Sequence, residues 1–274
     1  MGLTKAPRIE IFNNRISPIQ ISWLAFCNTV GFETIDYLIA DKNLIYEDEE
    51  KFYKEKIIKM PDIWNCHSGF KLDRKLSNLP FNKNKYITFG SFNNFLKLSD
   101  NVIKVWSKIL KSVENSKLIL KSYNSYNTRT VLDKFNKYGV ENSIIIYDRS
   151  NYSDLKDHLD LYESVDIALD TFPYNGVTTT FEALWKGVPV IVLKGYNFNS
   201  RCGESILKNA NLDFFLASNE EEYIEKAIYL SNNIEKLEIE RKKIYNEITD
   251  TPLFNSNKFS SYLKDELLKI YKKI

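Results

Sequence analysis

Apolar residues between positions 86 and 193 follow two alternating patterns. Short apolar runs predict buried strands, and these runs occupy residues 86–89, 118–120, 144–147, 165–169 and 190–193. Between the runs, apolar side chains recur at spacings of three and four residues, which predicts helices at residues 102–113, 131–138 and 155–162. Strands and helices alternating at these lengths predict an α/β fold with a parallel, doubly wound, Rossmann-like sheet.

The two ends of the chain carry other patterns. Near the N-terminus, strands are predicted at residues 19–24 and 37–40, a loop at 27–34 and a solvated charged helix at 47–56. The polar run at residues 71–85 predicts a crossing between two domains, which we place at 1–80 and 81–274. In the last third, apolar stripes predict three helices, at residues 223–230, 237–244 and 259–270.

Residues 170–185 (DTFPYNGVTTTFEALW) have the features of a binding site. They follow a predicted strand, and Pro173 and Asn175-Gly176 interrupt regular structure before a helix that begins at the threonines. The first N–H groups of a helix lack acceptors and lie at the positive end of its dipole. This helix start is therefore a candidate site for a phosphate or diphosphate.

The side chains around this helix start support the same interpretation. Gly176 lets the backbone approach a ligand closely, and Thr178, Thr179 and Thr180 add hydroxyl donors beside the amides. Glu182, in the first turn, can accept hydrogen bonds from ribose hydroxyls. A simpler alternative is that a threonine caps the helix and Glu182 complements the helix dipole.

Composition narrows the class of protein. The chain has 274 residues, 43% of them hydrophobic, with a net charge of +2, so no strong field favours nucleic acid or a membrane surface. Its three cysteines are widely spaced and form neither a zinc motif nor a disulfide framework, which favours a reducing, cytoplasmic location. No apolar run is long enough to predict a membrane span.

Several segments, taken in order, resemble the O-linked N-acetylglucosamine transferase family, which includes SPINDLY-like members. They extend over nearly the whole chain and are residues 16–24 (ISPIQISWL), 89–99 (FGSFNNFLKLS), 157–159 (DHL), 170–185, 200–201 (SR) and 251–254 (TPLF). One such segment alone would be weak evidence for the family, whereas all of them in this order are specific to it. The first residues resemble a segment inside the family's first domain, so we expect part of that domain and an acceptor-reading region upstream of Met1.

This resemblance implies the GT-B architecture of glycosyltransferases. Residues 81–274 would form a complete nucleotide-sugar-binding Rossmann-like lobe, and residues 1–80 the last part of the N-terminal catalytic lobe, with the final helix packed back against that part. The implied reaction is an inverting transfer of a sugar, N-acetylglucosamine above all, from a UDP-sugar to a Ser or Thr of a protein or peptide acceptor. No metal or other cofactor is expected, because a lysine and the helix start neutralise the diphosphate.

The family motifs also assign roles to residues. Residues 92–97 (FNNFLK) are similar to the family's Phe-Asn-x-x-x-Lys, which makes Lys97 the expected catalytic lysine and Asn94 an expected diphosphate contact. A lysine here would stabilise the charge that grows on the leaving diphosphate. His158 lies eight residues before Asp166, as in the family, and is expected to contact the nucleotide. Without the resemblance, a surface lysine and a half-buried structural histidine would be the simpler interpretations.

Within the helix-start motif, Thr178 and Thr179 match the family residues that hold the diphosphate. Glu182 matches the acidic residue that holds the ribose. Arg201 is expected to pair with a carboxylate in the core rather than to contact the donor.

Some residues depart from the family pattern. The loop that usually reads Tyr-Pro-Gly-Thr-Thr-Gly is Phe-Cys-Asn-Thr-Val-Gly here, at residues 26–31, and Asn94 stands where glutamine is frequent. Other branches of the family use UDP-glucose or GDP-fucose, so the identity of the sugar stays open. A second alternative is a UDP-binding module, truncated or regulatory, that does not catalyse transfer.

Overall fold

A computed structural model describes residues 9–24, 27–122, 128–148 and 154–272. The N-terminal part contains a parallel sheet of three strands in the order β1-β2-β3: β1 (Ile21–Ser22), β2 (Tyr37–Asp41) and β3 (Lys56–Met60). The prediction for β2 is confirmed. The predicted strand at residues 19–24 is shorter in the structure, because Leu24 has a φ of 74° and leaves the extended conformation.

The charged stretch after β2 differs from its prediction. Instead of a helix at residues 47–56, it forms a 3₁₀ helix at Glu47–Phe52 and then enters β3 at Lys56. The two lysines of β3 obscured its apolar character in the sequence. In the structure Ile58 and Met60 face the core, while the Lys59 ammonium lies 2.5 Å from a Glu50 carboxylate oxygen.

The larger sheet has six parallel strands in the order β6-β5-β4-β7-β8-β9. They are β4 (Thr88–Ser91), β5 (Lys117–Ser122), β6 (Ile144–Asp148), β7 (Ile167–Leu169), β8 (Val190–Leu193) and β9 (Leu216–Ala217). The first five confirm the predicted strands and the doubly wound α/β class. The strand order reverses between β4 and β7, and ligands in such sheets bind at this switch point, beyond the carboxyl ends of the strands.

Helices cover this sheet and continue beyond it. They are α1 (Pro80–Asn84), α2 (Asp100–Ser112), α3 (Thr128–Asn136), α4 (Leu155–Asp160), α5 (Thr178–Trp185), α6 (Phe198–Asn209), α7 (Glu220–Asn232), α8 (Ile234–Glu247) and α9 (Ser256–Tyr271). Helix α2 illustrates why the periodicity predicts them: Ser99 caps its start, and Val102, Val105 and Trp106 are buried on one face. Over the ranges that the structure describes, no helix is both long and apolar enough to cross a membrane.

The last helix returns to the first sheet, as the resemblance implied. Phe259, Tyr262 and Leu263 of α9 pack against a cluster that includes Ile58 and Met60 of β3. The Tyr262 hydroxyl donates a hydrogen bond of 3.2 Å to the carbonyl of Lys59. A division of the chain between residues 80 and 81 stays a prediction.

Helix α6 joins the two sheets through buried polar bonds. The hydroxyl of Ser205 donates to a carboxylate oxygen of Asp41 at 2.5 Å, and the amide of Trp64 donates to the same oxygen. Burial raises the pKa of Asp41 to about 6. The guanidinium of Arg201 forms two bonds to Glu49, of 2.5 and 2.7 Å, which confirms its expected pairing with a carboxylate. These bonds connect α6, which belongs to the larger lobe, to the N-terminal part of the chain.

Gly90 in β4 packs tightly against the side chain of Val165. A Cβ atom at this position would lie 2.5 Å from Cγ2 of Val165. Gly90→Ala should therefore lower the free energy of unfolding by about 2 kcal/mol, as overpacking does in well-packed cores. Urea denaturation of the single variant and of Gly90→Ala/Val165→Ala provides the measurement. The second change should recover part of the loss, whereas a fully stable Gly90→Ala chain would contradict this packing.

Candidate functional site

A cavity of about 300 Å³ opens at the switch point of the larger sheet. The loop after β4 forms one wall, the loop after β7 with the start of α5 forms a second, and the N-terminal part with α6 forms a third. Its lining residues are Leu24, Cys27, Phe92, Asn93, Asn94, Lys97, Tyr174, Asn175, Val177, Thr178, Thr179, Asn199 and Cys202. Four predicted site residues, Asn94, Lys97, Thr178 and Thr179, thus meet in one cavity although two different loops supply them.

Lys97 ends a short 3₁₀ helix that begins at Phe95. Its ammonium donates to the carbonyl of Asn175 at 2.7 Å and to Oδ1 of Asn93 at 3.2 Å, and it lies 4.6 Å from the ring centre of Tyr174. Burial lowers the pKa of Lys97, and the nearby Asp170 carboxylate opposes that shift. The lysine is therefore a held, partly desolvated cation and not a freely solvated surface side chain.

Asp170 directly follows β7 and is fully buried. Its Oδ1 accepts hydrogen bonds from the amide of Gly176 at 2.7 Å, the amide of Thr171 at 2.9 Å and the side chain of Asn93 at 3.3 Å. Among the described residues, its Oδ2 has no hydrogen-bond partner. Burial raises the pKa of Asp170 to about 7, against the lowering effect of Lys97 and of these donors. One carboxylate thus connects the two loops that form the cavity.

The start of α5 is open towards the cavity. The residue before the helix is Val177, whose side chain makes no capping hydrogen bond. The alternative in which a threonine caps this helix is therefore wrong. The amides of Thr180 and Phe181 donate to the Val177 carbonyl, whereas those of Thr178 and Thr179 have no acceptor within the described part of the chain. Two amides without an acceptor among the described residues, and the positive end of the α5 dipole, therefore lie at the wall of the cavity.

Gly176 and Thr180 shape this turn from behind. A Cβ atom at position 176 would lie 2.3 Å from Oγ1 of Thr179, so only glycine fits here without a shift. The buried hydroxyl of Thr180 donates to the Gly176 carbonyl at 3.2 Å. Both residues hold the turn, while their direct contact with a ligand stays a prediction.

His158 and Glu182 form a pair beside the cavity. Nε2 of His158 lies 2.9 Å from Oε2 of Glu182, which also accepts a hydrogen bond of 3.0 Å from the Tyr162 hydroxyl. Nδ1 of His158 lies 2.6 Å from the ammonium of Lys121 at the end of β5. Because Lys121 is a donor, this nitrogen is the acceptor of the ring, and Nε2 carries the proton that binds Glu182. The two predicted nucleotide contacts therefore belong to one chain of polar contacts that is largely buried.

Sequence reasoning missed several members of the site. Asn93, Asp170 and Asn175 stand beside predicted residues and are buried polar side chains in the structure. Lys121 is buried at the end of an apolar strand. Polar residues immediately after predicted strands were the available signal, since these positions face the ligand edge of a parallel sheet.

The N-terminal loop, whose sequence departs from the family pattern, is held in place by hydrogen bonds to Glu55. The buried carboxylate of Glu55 accepts bonds from the Thr29 hydroxyl at 2.7 Å and from the amides of Val30 at 2.6 Å and Gly31 at 3.4 Å. Gly31 has a φ of +76°, a conformation that favours glycine. This anchor holds the loop that carries Cys27 to the edge of the cavity.

A family match shows which group of proteins this chain belongs to. The sequence pattern of glycosyl transferase family 41 matches residues 1–79 and 72–263. The chain belongs to glycosyl transferase family 41. This confirms the resemblance that the motifs carried.

Two plant proteins are among the relatives that this chain resembles. The chain is 33% identical to the “Probable UDP-N-acetylglucosamine--peptide N-acetylglucosaminyltransferase SPINDLY” of Eustoma exaltatum subsp. russellianum, over 94% of this chain and 28% of that protein. It is 32% identical to the protein of the same name from Solanum lycopersicum, again over 94% of this chain and 28% of the relative. The chain therefore spans less than a third of the length of these relatives.

Solved structures confirm the GT-B architecture. A mutant of the O-GlcNAc transferase of Thermobaculum terrenum superposes with a TM-score of 0.84 and 26% identity, over 94% of this chain and 49% of that one. HepE of Anabaena, solved with UDP and glucose, superposes with a TM-score of 0.58 and 12% identity, over 86% of this chain and 64% of that one. The second similarity concerns the fold alone.

The raised pKa of Asp170 gives a testable pH dependence. Its carboxyl titrates near 3.8 when unfolded and near 7 when folded. Between these values the folded chain holds the extra proton, so the free energy of unfolding falls as pH rises. Asp170→Asn keeps an acceptor for the Gly176 amide but does not titrate. Between pH 5 and pH 7, urea denaturation should show the wild type losing roughly 2 kcal/mol more than this variant.

The same substitution at Asp133, which is exposed on α3, serves as the matched control and should keep the wild-type profile. Parallel pH profiles for the wild type and Asp170→Asn would contradict a buried, titrating Asp170.

Proposed function

We propose that this chain carries the donor site and catalytic lysine of a protein glycosyltransferase. The proposed reaction moves N-acetylglucosamine from UDP-N-acetylglucosamine to a Ser or Thr hydroxyl of a protein or peptide. The observation that carries the proposal is the meeting of Lys97 with the two free amides of α5 in one cavity at the switch point of the sheet. The names of the SPINDLY relatives and of the solved O-GlcNAc transferase support the choice of donor and acceptor.

The proposed chemistry follows from where negative charge develops. When the bond between sugar and UDP breaks, charge grows on the departing diphosphate. The ammonium of Lys97 and the amides of Thr178 and Thr179 are donors held in place before the reaction, so they stabilise this charge without reorganising. Lys97 would exchange its contacts with Asn93 and the Asn175 carbonyl for contacts with phosphate oxygens.

The nucleoside would lie on the other side of the α5 start. Glu182 is a fixed acceptor for ribose hydroxyls because His158 and Tyr162 hold its Oε2. His158 would contact the nucleotide through its ring. Asn94 is exposed at the rim, where its Oδ1 accepts from the Leu96 amide, and its proposed diphosphate contact would come from the side-chain NH₂ group.

The donor set proposed here needs no metal ion and no further cofactor. In the described parts of the chain, no group of three or more His, Cys, Asp or Glu side chains could hold a metal. The proposal rests on the cation and the amides, which supply the positive charge that Mg²⁺ supplies elsewhere. We propose a reducing, cytoplasmic location because the cysteines are free thiols.

Binding tests the site without requiring turnover. We expect isothermal titration calorimetry of the 274-residue chain to show UDP binding in the micromolar range, weaker binding of phosphate, and no comparable binding of GDP. Glu182→Gln should weaken UDP binding about tenfold, because a neutral amide accepts ribose hydroxyls less well than a carboxylate. Lys108→Ala, an exposed position on α2, is the control. A preference for GDP would favour the fucose-using branch, and no heat with any nucleotide would contradict the site.

Turnover tests Lys97. UDP release from UDP-N-acetylglucosamine, with a peptide acceptor, should fall about a hundredfold in Lys97→Ala, while UDP binding changes much less. The charge matters most as the leaving group departs, so kcat should carry the loss. Lys97→Arg should recover little, because a planar guanidinium does not replace a compact ammonium.

Lys108→Ala again provides the control and should retain full turnover. If the wild type turns over and Lys97→Ala is equally active, the assignment of Lys97 is wrong. If the wild type binds UDP but never releases it from the sugar, the chain is a binding module.

A further inference from the structure

Two cysteines meet at the edge of the donor cavity. Cys27 belongs to the N-terminal loop anchored by Glu55, and Cys202 lies on α6 in the larger lobe. Both line the cavity that contains Lys97, and their thiol groups influence each other electrostatically. Two thiols from distant parts of the chain are therefore neighbours at one cavity. Their position does not follow from the glycosyl transfer chemistry, which gives neither thiol a role.

The surroundings give the two thiols different characters. The neighbouring Cys202 thiol and the charge of Lys97 hold the pKa of Cys27 below its usual value, and Cys27 is only half-buried. Cys202 is buried, its thiol donates to the Phe198 carbonyl at 3.3 Å, and burial raises its pKa well above the usual value. Cys27 is thus the accessible, nucleophilic sulfur, and Cys202 is a protonated neighbour.

We propose that Cys27 and Cys202 form a modification site that peroxide oxidises to a disulfide across the donor cleft. The Cys27 thiolate attacks one oxygen of hydrogen peroxide, the O–O bond breaks, and hydroxide leaves with Cys27 as a sulfenic acid. The sulfur of Cys202 then attacks the sulfenic sulfur, and hydroxide leaves and takes the proton of Cys202 as water. In total, two thiols lose two electrons, and one peroxide becomes two waters.

The disulfide would connect the N-terminal loop covalently to α6. It would close a long segment of chain, which removes conformations from the unfolded state. It would also form beside the proposed diphosphate position, so a bound nucleotide should shield Cys27. This last step rests on the proposed function, whereas formation of the disulfide does not.

Cys66 provides the internal comparison. It is half-buried, like Cys27, but it lies outside the cavity lining, and burial raises its pKa to about 11. A thiol with that pKa is almost entirely protonated at neutral pH and reacts slowly with peroxide. Cys66→Ser is therefore the matched control for Cys27→Ser and Cys202→Ser.

The experiment treats the 274-residue chain with hydrogen peroxide and maps its peptides without reduction by mass spectrometry. The wild type and Cys66→Ser should yield a peptide linked through Cys27 and Cys202. Cys202→Ser should leave Cys27 as a sulfenic acid that dimedone traps, and Cys27→Ser should form no disulfide. Oxidation should raise the Tm of the wild type by roughly 5–10 °C, reversed by dithiothreitol.

Two results would overturn the proposal. One is oxidation of Cys66 as fast as that of Cys27, and the other is a Cys27 sulfenic acid in the wild type that never converts to the disulfide. UDP at about one hundred times its Kd should slow the reaction of Cys27 at least roughly tenfold. An unchanged rate, in a chain that calorimetry shows to bind UDP, would place the nucleotide elsewhere and refute the shielding step alone.

Discussion

The buried carboxylate of Asp170 is the interaction on which the rest of the site depends. It has no access to water, so its charge or its proton must be accommodated by the groups around it. The Gly176 amide fixes the turn before α5, and the Asn93 side chain fixes the loop that carries Lys97. Burying the Asp170 carboxylate is unfavourable by itself. Its hydrogen bonds, however, hold the loop of Lys97 and the start of α5 next to each other.

This arrangement explains why the cavity suits a diphosphate. The Lys97 ammonium is held by a carbonyl and an amide oxygen and not by a direct ion pair with Asp170, so its charge is not fully neutralised. The start of α5 adds two amides without acceptors among the described residues. An anion entering here would give the ammonium and the amides an oppositely charged acceptor in place of neutral oxygens or none. The thiol of Cys27, on the opposite wall, is influenced by the same lysine.

Much of the larger lobe could be predicted from the sequence, because its strands are short apolar runs separated by helices with clear periodicity. In the smaller sheet, strand β3 could not be predicted, because its two lysines hide the apolar pattern. In the candidate site, Lys97 was predicted by resemblance to a family motif, while Thr178 and Thr179 were predicted both by the pattern of a helix start and by the resemblance. The hydrogen bonds of Asp170 and the shared cavity of Cys27 and Cys202 could not be found in this way, because they depend on how loops far apart in the sequence come together.

The most direct test of the central claim is a crystal structure of the chain with UDP. The account predicts the diphosphate within hydrogen-bond distance of the Lys97 ammonium and the amides of Thr178 and Thr179, with the ribose on Glu182. UDP bound in another groove, such as the one between the end of β3 and the start of α9, with the cavity at Lys97 occupied only by solvent, would contradict it.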